Sequence, residues 1–367
     1  MTLGTLRLID FRNFQGLEVD FGGRSAAVWG PNGRGKSNLL EAIILLGTTR
    51  SHRTRRDAEL VRFGARGYAV SGELSGSAGG RTTLAITYSE AEGKRGSVDR
   101  KETARLSEIV GRCGVVCVSP EDVEITSGEP EVRRRYLDLT LCSLSTVYLR
   151  ALQEYNRVHR HRGRLLREGL GPEAAAHLET WDAQLARWAQ PVFSMRREAV
   201  SEIGPYAEEI YGALGGREEL AVAYAPGAGE EETVSEEKLL AKLRAKRSFD
   251  LRTGRTSVGP HRDDMEIRLG GKPIRSYGSR GQHRSAVLAL KLAAARLMER
   301  RMGEAPLLLL DDVFTELDEG RSDALAARLA REGQTFATGT DREALRRFLP
   351  GAEGFSLEEG GALVHAG

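Results

Sequence analysis

The amino-acid sequence predicts an α/β fold whose central sheet takes strands from both ends of the chain, with an antiparallel pair of long helices inserted between them. Three observations carry this. A short apolar strand at 26–29 runs through a glycine-rich loop into a helix near the N-terminus. A second apolar run, 306–310, lies near the C-terminus and reads as a central, parallel-type strand. Between them the chain changes from strand-like alternation to long stripes of helical spacing.

Taken in order, Leu3, Leu6, Leu8, Phe11 and Phe14, then Leu17, Val19 and Phe21, alternate with polar neighbours, as the two arms of an antiparallel hairpin do. After the strand at 26–29 and its loop, Leu39, Leu40, Ile43, Ile44 and Leu46 recur at helical spacing. Residues 68–75, 82–89 and 114–118 are further strands, divided by Gly- and Ser-rich turns such as 75–80. In the middle, Leu137, Leu141, Leu144, Tyr148, Leu152 and Tyr155 form one stripe. Leu178, Trp181, Leu185, Trp188, Val192, Met195 and Ala199 form another, with a break at 169–172. This predicts a helical arm whose second helix is kinked or segmented at Pro191 and Pro205. Glu230, Glu231 and Glu232 read as an exposed loop, and strands return at 220–224 and 264–269. A buried Ala- and Leu-rich helix covers 282–302, and the strand at 335–339 neighbours the one at 306–310. The expected division is a head in two parts, residues 1–130 and 215–367, with a helical hairpin arm at 131–214.

Composition excludes some classes. The 367 residues are 40% hydrophobic, which suits a soluble chain with a sizeable core, and no apolar run reaches the length of about 18 residues that a membrane span needs. Arg7, Asp10 and Arg12 stand where a signal peptide would be apolar, so a cytosolic location is expected. Cys113, Cys117 and Cys142 form no CxxC pair and read as small hydrophobes rather than zinc or redox ligands.

The chemistry sits in three segments. Gly30, Pro31, Asn32, Gly33, Arg34, Gly35, Lys36 and Ser37 satisfy G-x-x-x-x-G-K-[ST] between strand and helix, and Asn38 follows directly. Backbone N–H groups and the helix N-terminus would surround a β-phosphate, Lys36 would reach the β- and γ-phosphates, and the Ser37 hydroxyl would bind Mg²⁺. The apolar run at 306–310 ends in Asp311 and Asp312, delivering carboxylates to the sheet edge where that metal would sit. Asp311 would hold the metal through water, and Asp312 would orient the attacking water by position, since an unshifted Asp is a poor base at neutral pH. The alternative is an acidic strand end facing solvent. Ser279, Arg280, Gly281 and Gln282 open the long Ala-rich helix and make a second anion site, or else a plain capping turn.

With these residues in place, the arrangement is similar to the ABC-type ATPases related to SMC and Rad50 proteins, and it resembles the RecF family. The motifs of the resemblance begin with Leu8 to Asn13, Leu39 to Ile43, Ser119 to Asp122 and Arg133 to Arg135. They continue through Gly259, Pro260, His261 and Arg262, Ser279 to Gln282, and Asp311 and Asp312, and end at Glu316 to Asp318. Taken alone, His261 is as readily a structural histidine as a ligand-binding one. The resemblance implies an ABC-type P-loop ATPase head with an inserted antiparallel helical arm. It also implies an ATP-dependent homodimer on gapped DNA or single-strand/double-strand junctions, nucleoid association, and RecR- and RecO-type partners in recombinational repair, replication and the SOS response. Three departures point to slow turnover. No Gln enters Ser119, no His follows the strand at 335–339, where Thr338 or Thr340 stands, and Asp312 replaces the Glu common in the superfamily.

For DNA the candidates are Arg53, Arg55 and Arg56, then Arg133 and Arg134, and on the arm Arg160, Arg162 and Arg164, which would track phosphates without reading sequence. A solvated helix face is the other reading of each run. Few aromatics interleave them, so duplex backbone is a better target than stacked bases. The rival functions are a structural SMC-like tether and the nucleotide-binding subunit of a transporter, which would carry the same loop and acidic strand.

Overall fold

The computed structural model describes all residues except 78, 169–171, 228–234, 314–318, 330–332 and 367. The expected break at 169–172, the acidic loop at 230–232 and the segment Glu316 to Asp318 therefore lie wholly or largely outside the described residues. The chain divides into two compact units: Met1–Val123 with Glu209–Arg217 and Arg280–Gly367, and Glu124–Glu208 with Glu218–Ser279. The second takes in 218–279, which local sequence pattern places in the head.

In the first unit the described residues form two six-stranded sheets. One is antiparallel and opens with the hairpin Thr2–Phe11 and Phe14–Asp20, in the register Leu6 to Val19, Leu8 to Leu17 and Phe11 to Phe14. Leu6 and Leu8 are fully buried while Ile9 is exposed, as strand alternation requires, and Phe11 is buried as well because Asp10 takes a left-handed backbone, φ +48°, that resets the alternation. The other is mostly parallel. Its order is Leu363–His365, Glu353–Leu357, Ala26–Trp29, Thr335–Gly339, Leu307–Asp311 and Val115–Val118, so N- and C-terminal strands interleave as expected. The helix Lys36–Thr48 touches strands of both sheets, which is why Leu39, Leu40, Ala42, Ile43, Ile44, Leu45 and Leu46 are buried all round it rather than on one stripe. The helix Arg280–Met302 is buried from His283 to Met298 along most of its positions.

In the second unit the first stripe is divided between two helices, Pro130–Leu144 and Thr146–Glu168. Ser145 is extended at the junction (φ −147°, ψ 116°), and its hydroxyl accepts the Tyr148 N–H at 3.2 Å. The third helix, Pro172–Ala213, runs through Pro191 and Pro205 without the expected segmentation. Ala189, Val192 and Phe193 are buried around the first proline, and Ile203 and Ala207 around the second, so packing offsets the lost hydrogen bonds. Tyr155, Val158, Leu185, Ala189 and Phe193 share a core with Leu239, Leu243 and Val258, the first two of these from the helix Glu236–Thr253. The strands Leu220–Ala225 and Asp264–Leu269 pair antiparallel in a three-stranded sheet of this unit, closed by Lys272–Pro273.

Candidate nucleotide-binding site

Ala26–Trp29 is buried between two parallel neighbours and ends where the glycine loop begins. Two of its glycines are forced by space. A Cβ on Gly30 would lie 2.6 Å from the Leu357 carbonyl oxygen. One on Gly35, where φ is +106°, would lie 2.4 Å from Asn13 Oδ1. That asparagine belongs to the hairpin turn and fastens the loop from outside: its amide donates to the Arg34 carbonyl at 3.0 Å and its Oδ1 accepts from Asn38 at 2.8 Å. Pro31, Asn32 and Gly33 are exposed, Ser37 is half-buried, and Arg34 pairs with Glu359.

Lys36 is buried, and its ammonium donates to the Gly30 and Pro31 carbonyls at 2.8 and 3.1 Å, closing the loop upon itself. Burial lowers its pKa, and the opposed fields of Asp312 and Asp311 partly restore it. Both acids thus lie within electrostatic reach of this lysine, Asp311 at the end of the strand Leu307–Asp311, whose four leucines are fully buried, and Asp312 directly after it. The acidic strand end is not simply solvated. Thr338, on the next strand and fully buried, donates its hydroxyl to Asp311 Oδ1 at 2.7 Å, while its carbonyl accepts the Asp312 N–H at 3.2 Å. Asp312 takes a left-handed backbone, φ +52°, a conformation uncommon for a non-glycine residue. Thr338, one of the two threonines where the wider pattern has a histidine, thus holds the Asp311 carboxylate.

Glu41, on the loop helix, lies inside the Leu39 to Ile43 motif, which gives it no role of its own. Burial opposes its charge, but Arg12, at 2.8 and 2.9 Å, and the Ser51 hydroxyl hold its pKa below the usual carboxylate range. Directly after the strand on which the wider pattern has a glutamine, Ser119 donates its N–H to Asp122, and Lys291 pairs with Asp122 at 2.7 Å. Ser279 and Arg280 are exposed at the start of the long helix, Gly281 and Gln282 are half-buried, and a Cβ on Gly281 would lie 2.8 Å from the Arg321 guanidinium. Cys113 is buried with its thiol pushed up to about 12, and Cys117 and Cys142 are half-buried, as small hydrophobes are. No group of three His, Cys, Asp or Glu suited to a metal ion occurs among the described residues.

The arginines separate sharply. Arg53, Arg55 and Arg56 are exposed, Arg53 bonded to Asn38 at 2.9 Å and Arg56 beside Glu59 at 3.8 Å. Arg160 and Arg164 are exposed. Three DNA candidates are instead structural. Arg162 is fully buried between Asp182 at 2.7 Å and Asp250 at 2.8 Å, because it continues the inward stripe of Tyr155, Val158 and Leu166. Arg133 is buried in a bidentate pair with Asp264 at 2.6 and 2.9 Å, and Arg134 donates to the Asp263 carbonyl at 2.6 Å.

The family model for the RecF/RecN/SMC N terminal domain matches residues 2–348. The DNA replication and repair protein RecF of Agathobacter rectalis is 36% identical over 353 residues, covering 95% of each chain. That of a Synechocystis species is 38% identical, covering 93% of this chain and 92% of its own. Among solved structures, the recombination mediator protein RecF with ATP, in the RecFOR pathway, superimposes with a TM-score of 0.90 at 31% identity, over 100% of this chain and 98% of that one. An Smc head domain from Pyrococcus furiosus shares the fold, with a TM-score of 0.59 at 15% identity.

Proposed function

The chain belongs to the RecF family of DNA replication and repair proteins, and we propose that it works there as an ATP-gated clamp: two copies close over two ATP molecules on DNA and part after slow hydrolysis. The observation that carries this is that one sheet brings Lys36, after the strand Ala26–Trp29, into the field of Asp311 and Asp312, at the end of Leu307–Asp311, with the strand Thr335–Gly339 between the two. ATP would draw the Lys36 ammonium from the Gly30 and Pro31 carbonyls to its β- and γ-phosphates while the loop N–H groups take the β-phosphate. Mg²⁺ fits the donors present. It keeps most of its water and needs one or two protein oxygens beside the phosphates, here the Ser37 hydroxyl and the Asp311 carboxylate that Thr338 orients. Asp312 would position the attacking water. The relatives' end-to-end coverage favours repair over a transporter subunit or a tether.

By the ABC pattern, Ser279 faces the γ-phosphate bound by a second copy, its hydroxyl and the Gly281 amide completing the phosphate shell. Ser279→Arg should leave the ATP affinity of the single chain near its original value and abolish both ATP-dependent dimers and DNA-stimulated hydrolysis. Fluorescence titration and light scattering at saturating ATP decide it. Dimers that persist, or ATP binding lost outright, would sink the two-chain site.

DNA would lie along exposed arginines, Arg160 and Arg164 on the helical unit and Arg53, Arg55 and Arg56 beside the loop helix. Gapped or junction DNA is the proposed target, RecR- and RecO-type mediators the partners, and the nucleoid the location. Arg160→Glu with Arg164→Glu should weaken duplex binding and flatten its salt dependence by roughly 0.9 log units for each phosphate no longer neutralised. An unchanged slope in a salt titration returns both residues to a solvated face.

A further inference from the structure

The second unit holds a cavity of about 450 Å³ that the nucleotide reading does not use. One wall is a face of the helix Thr146–Glu168, where Arg160, Arg164 and Arg167 follow one another at spacings of four and three and so point the same way. Arg255, just after the helix Glu236–Thr253, and Arg262, at the end of the short helical turn Pro260–Arg262, complete the basic lining. Two glycines, Gly163 and Gly254, add no side chain to the lining, and a Cβ on Gly254 would come within 3.3 Å of the Arg167 stem.

Five guanidiniums meeting at one cavity repel each other, and proteins ordinarily relieve this with carboxylates. Elsewhere in this unit they do: Arg133, Arg162, Arg196, Arg244 and Arg247 are all ion-paired. Among the described residues, no carboxylate forms an ion pair with any of the five at the cavity. Their hydrogen bonds are two long ones to backbone carbonyls, Arg160 to Asn156 at 3.3 Å and Arg262 to Thr256 at 3.4 Å.

The frame beneath is rigid. The buried Arg162 bonds Thr256 Oγ1 at 2.8 Å, and His261 is held at both nitrogens, by the Tyr155 hydroxyl at 2.6 Å and the Thr256 carbonyl at 2.9 Å. Nε2 thus carries its proton and donates to that carbonyl, while Nδ1 accepts from the tyrosine. Burial pushes His261 down to about 3, and His159, tilted against it with ring centroids 4.2 Å apart, also lies below its usual value, chiefly through burial. Burial thus disfavours a proton on either ring, and the positive charge of the lining is that of the arginines.

We propose that this cavity is a second anion site, distinct from the glycine loop, that takes a compact phosphate group bearing two or more negative charges. Three features favour such a group over a tracked duplex backbone. The cations come from two separate stretches of chain that line one cavity rather than from a single row. The volume falls in the range of small-ligand clefts, about 300–1,000 Å³. Arginine forks also match the several oxygens of one phosphate. The same chemistry could come from the phosphorylated end of a DNA strand or from a free nucleotide. The site does not depend on Arg160 and Arg164 ever lying along a duplex.

Calorimetric titration of the full chain with inorganic pyrophosphate tests it, because the loop and the cavity are counted separately. The parent should bind two equivalents, and Lys36→Met one. Arg164→Gln with Arg262→Gln should also bind one, and all three changes together none. Both arginines are exposed, so the double variant should keep the parental melting temperature. Each guanidinium removed should weaken the cavity step by about tenfold or more. A single equivalent that Lys36→Met abolishes, or a double variant that still binds two, overturns the proposal. Failure of the nucleotide reading instead leaves one equivalent that Lys36→Met keeps and the arginine variant loses, or two that Lys36→Met does not reduce.

The source is then read in the Lys36→Met background. A duplex with a terminal phosphate should bind more tightly than the same duplex with a hydroxyl, and the difference should vanish in the arginine variant. AMP binding that is lost in that variant, with no effect of the terminal phosphate, assigns the cavity to a free nucleotide and equally upholds the site.

Discussion

Lys36→Met should lower ATP affinity by about a hundredfold or more while leaving the chain folded. The lysine ammonium is the cation nearest the phosphates in the proposed complex, and hydrogen bonds to a charged group are each worth about 1.5–3 kcal/mol, so losing two of them gives an effect of this size. The same ammonium now bridges the Gly30 and Pro31 carbonyls and lies in the field of Asp311 and Asp312. Its loss therefore loosens the loop and removes one cation from the field of the two carboxylates. The sheet beneath keeps its strand register and its buried leucines, none of which involve this side chain. Nucleotide titration and a thermal melt on one preparation check both halves. Affinity equal to the parent's would remove Lys36 from the site, and a collapsed melting temperature would make its role structural.

What the sequence disclosed is what short stretches encode. The glycine loop needs eight consecutive residues, and its strand and helix are read from adjacent apolar positions. The leucines at 307–310 announce a buried strand because nothing polar interrupts them. Where partners are far apart in the chain, the reading fails. Arg133 meets Asp264 across 131 residues, and Arg162 meets Asp250 across 88, so local composition shows a basic run while the fold shows buried pairs. The strands Leu220–Ala225 and Asp264–Leu269 were expected, but their pairing with each other, Tyr224 opposite Met265, is non-local, and it moves 218–279 into the helical unit. Thr338 escaped as a carboxylate holder because its partner Asp311 lies 27 residues away. For Arg162 a signal did exist. Tyr155, Val158, Arg162 and Leu166 share one helical face, whereas Arg160, Arg164 and Arg167 share the opposite one.

Arg162→Met should destabilise the helical unit by about 3–5 kcal/mol, the cost of removing one partner from a fully buried ion pair. Arg162, Asp182 and Asp250 are all completely buried. Asp182 would keep Arg247, which reaches its other oxygen at 2.7 Å, but Asp250 would keep just the Ser257 N–H, at 3.0 Å. An isolated carboxylate there must stay charged without a cation or bind a proton, and either outcome opposes folding. Methionine fills the arginine's volume, so the loss is electrostatic rather than a cavity. Lys at this position should recover little, because one ammonium cannot span two carboxylates and Thr256 as the guanidinium does. Adding Asp250→Asn to Arg162→Met should recover part of the loss by removing the stranded charge. Arg160→Met, two residues away and exposed, should change stability by no more than about 0.5 kcal/mol. Urea unfolding followed through Trp181 and Trp188 reads the helical unit directly, since both tryptophans pack against its core. Equal midpoints for the two single variants would return Arg162 to the surface and restore it as a contact for DNA.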